Sequence, residues 1–327
     1  MPVIPTLNLS EADGLTPIAR ASDGLHVAGR DGVRSIWRTG DGKVEFIAFA
    51  RHTLALVNSS LGYPAYYPLH PVRLERPVQA VLMDLDGTSV HSEAFWIWII
   101  ERTVASLLGD PDFTLEEADL PYVAGHSVSE HLSYCLAKYC PDKSLEAARD
   151  LYFRHTHREM QAIVEGRGRV DAFRPAPGLR EFLLALKERG IRVALVTSGL
   201  YEKAYPEILA AFRSLGLGDP EAFYDAIITA GYPLGRGQAG TLGELTPKPH
   251  PWLYAEAARV GLGIPFEQRH HVLGIEDSGA GVCAIRLAGF FTVGMEGGNI
   301  RESGTQGLCN AFCSDFDDVL AIIDGGA

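Results

Sequence analysis

The stretch Val78–Val90, VQAVLMDLDGTSV, constrains this chain more than any other. Its first half, Val78 to Met83, is a short apolar run that reads as a buried strand. The second half, Asp84-Leu85-Asp86-Gly87-Thr88, does not continue it. Two carboxylates one residue apart, followed at once by glycine, make a strand exit into a tight turn. Open α/β sheets gather their ligands at the carboxyl ends of parallel strands. Carboxylates this close repel unless a proton or a cation is shared between them. Mg2+ is the simplest such cation, because it takes carboxylate oxygens and keeps waters or substrate phosphate as its other ligands.

The rest of the chain supplies a sheet for that strand. Helices are predicted over Gly178–Arg189, Glu202–Leu215, Pro251–Val260, Gly281–Ala288 and Phe316–Ile323. Strands are predicted between them at Val193–Val196, Ala226–Thr229, Val272–Ile275 and Phe291–Val293. Such alternation implies parallel pairing with right-handed crossovers. The block before it carries only helical patterns. Ser92 is placed to cap a helix over Glu93–Leu108, with Phe95, Trp96, Ile99, Ile100, Val104 and Leu107 spaced for a buried face. Thr114-Leu115-Glu116-Glu117 has capping-box form, and Ser127–Tyr139 and Ser144–Glu165 are amphipathic. The N-terminal segment differs again. Strand candidates at Leu25–Ala28, Val33–Trp37, Val44–Phe49 and Thr53–Val57 are punctuated by Arg30-Asp31-Gly32 and Asp41-Gly42, which are hairpin signals. A Pro- and Tyr-rich connector follows. The predicted fold class is therefore α/β. A Rossmann-like parallel sheet core spans residues 77–91 and 170–327, with an inserted all-α cap at 92–169 and a small β-rich extension with its linker at 1–76. The extension is expected to be a structural or dimer-forming appendage, so a homodimer through it is one expectation.

Charge and cysteine content narrow the function. A formal net charge of -12 argues against nucleic acid or an anionic membrane as partner, since both select positive patches. A small phosphorylated metabolite feels only the local field of its pocket and is not excluded. The start, MPVIPTLNLSEADG, has no basic region followed by an apolar core, and no apolar span approaches membrane length. The 5 cysteines are odd in number and scattered, which fits reduced thiols in a cytoplasmic protein. No pair of histidines lies at metal-ligand spacing on one helical face, so zinc is not expected.

Polar residues suited to phosphate or metal stand in turn at strand exits or a helix start: Asp84 and Asp86, then Thr197 in VALVTSG, Lys248 in TPKPHP ahead of the fourth helix, and Glu276-Asp277 in VLGIEDS. Four such motifs in this order resemble the haloacid dehalogenase-like superfamily. Within it they resemble the helical-cap group that includes phosphoglycolate phosphatase-like, sugar-phosphate phosphatase and β-phosphoglucomutase-like proteins. The resemblance covers roughly Val78 to Asp324. It implies a Mg2+-dependent hydrolase of phosphate monoesters. Asp84 would be the nucleophile that forms an aspartyl-phosphate, and Asp86 the general acid and then base. Lys248 would offset the charge on Asp84 and the phosphoryl group. Thr197, with Ser198 beside it, and the backbone around Gly87 would face the phosphoryl oxygens. Mg2+ would be held by Asp84, Asp277 and the main-chain oxygen of Asp86, with Glu276 assisting.

The residue two places after the nucleophile is aspartate, which points to phosphoester chemistry. A β-phosphoglucomutase-like cap would supply a histidine on its first helix and an arginine in the following loop. Here Trp96 takes the first position, and the loop reads Gly125-His126-Ser127-Val128 without arginine. A phosphatase for a small sugar or polyol phosphate is therefore expected ahead of a phosphomutase. His126 and Ser127 are candidate substrate contacts. A low-turnover, phosphate-binding regulatory protein is the alternative of another class. The glycine-rich stretch Gly231–Pro247, with Arg236, is expected to be a lid or a plain loop, and hinges are expected near Ser89–Ser92 and Phe173–Pro177.

Overall fold

The protein, seen here as a computed structural model, is described over residues 14–58, 64–123, 128–169, 171–229 and 248–326. These fall into two compact units. The first takes in the chain up to Ser89, Ala176–Ala204 and everything from Leu217; the second is Val90–Pro175 with Tyr205–Gly216.

The first unit opens with an antiparallel meander in sequence order: β1 (Thr16–Pro17), β2 (Val33–Arg38), β3 (Val44–Phe49), β4 (Thr53–Asn58) and β5 (Pro64–Pro68). Hairpin chemistry explains it. The β2–β3 turn closes through Gly42 N–H donating to Thr39 O at 2.9 Å, with Gly42 at φ +71°. One expected strand does not form. Leu25–Ala28 yields only a single bridge, Arg20 to Val27, because Gly24 and Gly29 take left-handed conformations on either side and turn the chain out of line.

The central strand follows as β6 (Ala80–Asp84), wholly buried. The chain then crosses into the second unit after Ser89. There the short strand β7 (Val90–His91) leads into α1 (Glu93–Leu108), α2 (Leu120–Val123), α3 (Val128–Tyr139) and α4 (Leu145–Val164), and β8 (Arg174–Pro175) pairs back with β7. This unit is helical as expected, though two caps differ. Ser92 has helical backbone angles and makes no capping hydrogen bond to α1, whereas Ser144 accepts from Ala147 N–H at 3.2 Å and caps α4. The capping box lies at Glu116 and Asp119 rather than at Thr114, because Asp119 is the buried residue. It also accepts from Lys138 at 2.6 Å and from the hydroxyls of Tyr134 and Tyr139. Those donors hold the Asp119 carboxyl well below the usual range although burial opposes it.

Back in the first unit come α5 (Leu179–Glu188), β9 (Arg192–Val196), α6 (Tyr201–Leu215, the second unit from Tyr205 on), α7 (Pro220–Phe223) and β10 (Ala226–Ile228). The chain then forms α8 (Trp252–Glu256), β11 (Val272–Glu276), α9 (Gly279–Ala288), β12 (Phe291–Met295), β13 (Ala311–Cys313) and α10 (Phe316–Asp324). The expected helix over Pro251–Val260 instead loosens into a π-turn at Ala257–Gly261. Its last residue abuts the sheet, where a Cβ on Gly261 would meet Ala226 Cβ at 2.6 Å. β13 is too short to carry a pattern of its own and was not expected.

The parallel sheet runs β10-β9-β6-β11-β12-β13, a Rossmann-like core. β6 lies between β9 and β11, so the strand order reverses direction there. That is the crevice where open α/β sheets bind ligands. Helix α9 shows why the meander belongs to this unit. Its sequence, GAGVCAIRLA, has almost no polar face, so it needs cover on both sides. Ala284, Ile285 and Ala288 pack on the parallel sheet. Val282, Cys283 and Leu287 pack against Val44, Phe46, Ala55 and Val57 of the meander. Arg286, the one charged residue of the helix, donates from its guanidinium to His70 O at 2.9 Å.

Candidate active site

Register decides which side chains meet. Met83 pairs with Leu195 on one side and with Ile275 on the other, so the next residues along, Asp84, Val196 and Glu276, end their three strands at one level. Lys248 enters the same spot. Its Nζ donates to Asp84 Oδ1, to Glu276 Oε1 at 2.7 Å and to Val196 O at 3.1 Å, and its side chain is 6 % exposed. Glu276 is fully enclosed and saturated. Oε1 accepts from Lys248 and from the Tyr254 hydroxyl at 2.9 Å; Oε2 accepts from Ser278 N–H at 3.1 Å and Ser278 Oγ at 3.0 Å. Buried carboxylates require this degree of satisfaction.

Asp277 follows at the rim, accepting from Thr88 Oγ1 at 3.1 Å. Gly87 is required between them on two counts. It sits at φ +86°, and a Cβ there would fall 2.1 Å from Asp277 Oδ2. Ser89 Oγ donates to Asp84 O at 2.5 Å and ties down the turn. Asp86 projects differently: its Oδ1 lies 3.6 Å from Lys203 Nζ, both side chains being part-exposed. Thr197 Oγ1 accepts from Gly199 N–H at 2.9 Å, and Ser198 Oγ accepts from the backbone N–H of Lys248 at 3.1 Å. A hydroxyl that accepts keeps its own proton to donate. His126, Ser127, Arg236 and the Gly231–Pro247 stretch lie outside the described residues.

Oxygens of Asp84, Glu276 and Asp277 all lie within 4.8 Å of one another. Burial is the main reason the Asp84 carboxyl is held well above its ordinary range; Glu276 adds to it, and Lys248 opposes it. Burial, then Glu276, pushes Asp277 up to about 7. Lys248 is raised, because the two carboxylates outweigh the burial that works against its charge. One ammonium beside two buried carboxylates, with Asp277 at the rim and carboxylate oxygens of all three facing one another, suits a hard divalent cation. Sequence reading did not single out Thr88, Tyr254 or Lys203. Thr88 was within the first motif, but nothing local tells a Tyr six residues after a lysine that it will reach a strand end across the fold.

Asp277 binds its proton more tightly folded, at about 7, than an unfolded carboxyl near its ordinary value. Its contribution to stability is therefore full below roughly pH 4 and is lost as pH rises through 7. Without divalent cation the melting temperature should carry this loss, and Mg2+ should reverse it. The gain in melting temperature on exchanging EDTA for Mg2+ is expected to be larger at pH 8 than at pH 5. An equal gain at both would show that ion uptake is not linked to the Asp277 proton.

Residues 78–289 match the family model for haloacid dehalogenase-like hydrolases. A search of curated proteins finds no match. Among solved structures, the chain is similar to CbbY from Rhodobacter sphaeroides in complex with phosphate: 23% identity, 76% of this chain, 99% of that one, TM-score 0.54. A mutant CbbY holding xylulose-(1,5)bisphosphate is similar at 22% identity over 73% of this chain and 95% of that one, TM-score 0.51. A predicted phosphoglycolate phosphatase from Haemophilus somnus shares 19% identity over 75% of this chain and 98% of that one, TM-score 0.53. At these identities the likeness speaks for the fold. The family match covers the strands β6, β9, β10 and β11 of the parallel sheet and the whole helical insert, and carries Asp84, Thr197, Lys248 and Glu276 within it. The chain belongs to the haloacid dehalogenase-like hydrolase family.

Proposed function

We propose that this hydrolase is a Mg2+-dependent phosphatase for a small phosphorylated metabolite of the sugar or polyol phosphate class, working through an aspartyl-phosphate on Asp84. The observation that carries it is the Lys248 ammonium clamped between Asp84 and Glu276, beside Asp277, where three parallel strands end. Phosphate and a sugar bisphosphate in similarly folded proteins support the substrate class.

Mg2+, held by Asp84, Asp277 and the main-chain oxygen of Asp86, would screen the anionic phosphoryl group from the anionic nucleophile. Asp84 attacks phosphorus, and the bond to the ester oxygen breaks. Asp86 gives its proton to the leaving alkoxide. In the second half Asp86 takes a proton from water, whose oxygen attacks phosphorus and releases Asp84. Thr197 and Ser198 donate to phosphoryl oxygens, and Lys248 offsets the charge that develops on them. Glu276 holds Lys248 in place; its own oxygens are already occupied.

The test is phosphate release over a panel of sugar phosphates, polyol phosphates and phosphoglycolate, with Mg2+ and with EDTA. Turnover of a sugar or polyol phosphate that EDTA abolishes is expected. Absence of release from every ester in Mg2+ would overturn the proposal, and conversion of glucose 1-phosphate to glucose 6-phosphate without release would replace it by a mutase.

A further inference from the structure

We infer that the N-terminal meander is part of the catalytic apparatus: Tyr67, on β5, is a positioning residue that holds the Lys248-bearing segment through His250. The inference rests on the role given to Lys248 above.

The segment after Lys248 reads Pro249-His250-Pro251-Trp252, and two of its four residues have no backbone N–H to tether it. Side chains must do so. His250 is 4 % exposed, and its Nδ1 shares a hydrogen bond of 2.8 Å with the Tyr67 hydroxyl. The other ring nitrogen, Nε2, is buried with no partner among the described residues. The Tyr67 contact therefore fixes the ring's orientation, and losing it would leave a buried imidazole unsatisfied on both sides. Tyr67 also meets the Trp252 ring edge-on, at 6.1 Å and 71°. It spans His250 and Trp252, on either side of Pro251.

Tyr67 is itself rigidly mounted. It pairs in register with Ala55 of β4, and the sheet behind it packs on α9. The meander reaches the other flank of the site as well. Gly40 N–H donates to Ser303 O at 2.9 Å, so closely that a Cβ on Gly40 would lie 2.6 Å from Glu302 O. The same segment receives Gly279 N–H on Asn299 Oδ1 at 2.8 Å, two residues beyond Asp277. One sheet thus braces both the chain that delivers Lys248 and the loop behind Asp277. A lysine that must sit between two carboxylates tolerates little displacement, since misplacing a charge by about 1 Å costs up to about a hundred-fold in rate.

The experiment uses the full chain and p-nitrophenyl phosphate with Mg2+. Tyr67→Phe removes one hydroxyl and is expected to lower kcat about ten-fold, with KM within about two-fold and the melting temperature close to wild type. His250→Leu should cost the same, and the double variant no more than either single one, since both break one link. His250→Asn, which keeps a polar atom near the Nδ1 position, should restore most of kcat in the presence of Tyr67. Wild-type kcat in Tyr67→Phe, or additive losses in the double variant, would overturn the inference. So would a loss of activity that only follows the loss of folded protein. Asp84→Asn is run alongside: if it is as active as wild type, the phosphatase proposal fails; if it is inactive while Tyr67→Phe is unimpaired, only the positioning role fails.

Discussion

Asp84→Asn should abolish phosphate release, lowering kcat by on the order of 10^4-fold or more, as the loss of a covalent nucleophile does. The substitution keeps the shape of the side chain and leaves Lys248 a carbonyl oxygen to donate to, so the fold should survive. It also removes one of several crowded buried carboxylates, and Asp84 is already held well above its ordinary range by burial. The variant should therefore melt no lower than wild type in EDTA. That separates loss of chemistry from loss of structure. Release of phosphate at a comparable rate by both proteins would reject Asp84 as nucleophile, and with it the enzyme as proposed. No release above background by either protein would favour a phosphate-binding regulator instead.

Lys248→Met is the second large effect, and it should appear in stability as well as rate. The ammonium is the shared partner of Asp84 and Glu276, all three side chains being enclosed. Taking one member from a buried charge network typically costs about 3–5 kcal/mol, because the remaining charges stay desolvated and uncompensated. Asp84 can escape part of this cost by taking a proton, which it does more readily once Lys248 is gone. The loss should thus be greatest near pH 8 and shrink toward pH 5. Urea unfolding of both proteins in EDTA at the two pH values measures it. A difference below about 1 kcal/mol at pH 8, the size of a surface ion pair, would contradict the buried network. Phosphate release in Mg2+ should fall as well.

Much of the fold was legible along the chain. Short apolar runs such as Val81-Leu82-Met83 and Val193–Val196, each closed by a turn signal, read as strands covered on both faces, and their alternation with helices implies parallel pairing. Turn chemistry located the β2–β3 hairpin at Asp41-Gly42. What was misread was decided in one case by flanking residues and in another by a neighbour distant in sequence. Leu25–Ala28 has strand composition but is turned aside by its flanking glycines. The helix after Pro251 loosens where Gly261 meets Ala226. The meander looked like an appendage because no reactive constellation stands out in its sequence. Only the apolar second face of α9 hinted that the parallel sheet alone could not cover this helix.

Residue order by itself determined that Asp84, Thr197 and Glu276 would stand at the ends of strands, since each closes an apolar run that a charge or hydroxyl terminates. Which of them share a crevice depended on strand order and register, which no local pattern encodes: β6 had to lie between β9 and β11 for Lys248 to reach both carboxylates. The bond from Tyr67 to His250 spans 183 positions, and the enclosure of Glu276 joins groups from three elements. Contacts of that kind arise only when packing brings surfaces together, because a side chain's partners are set by what lies across the core and not by what lies beside it in sequence.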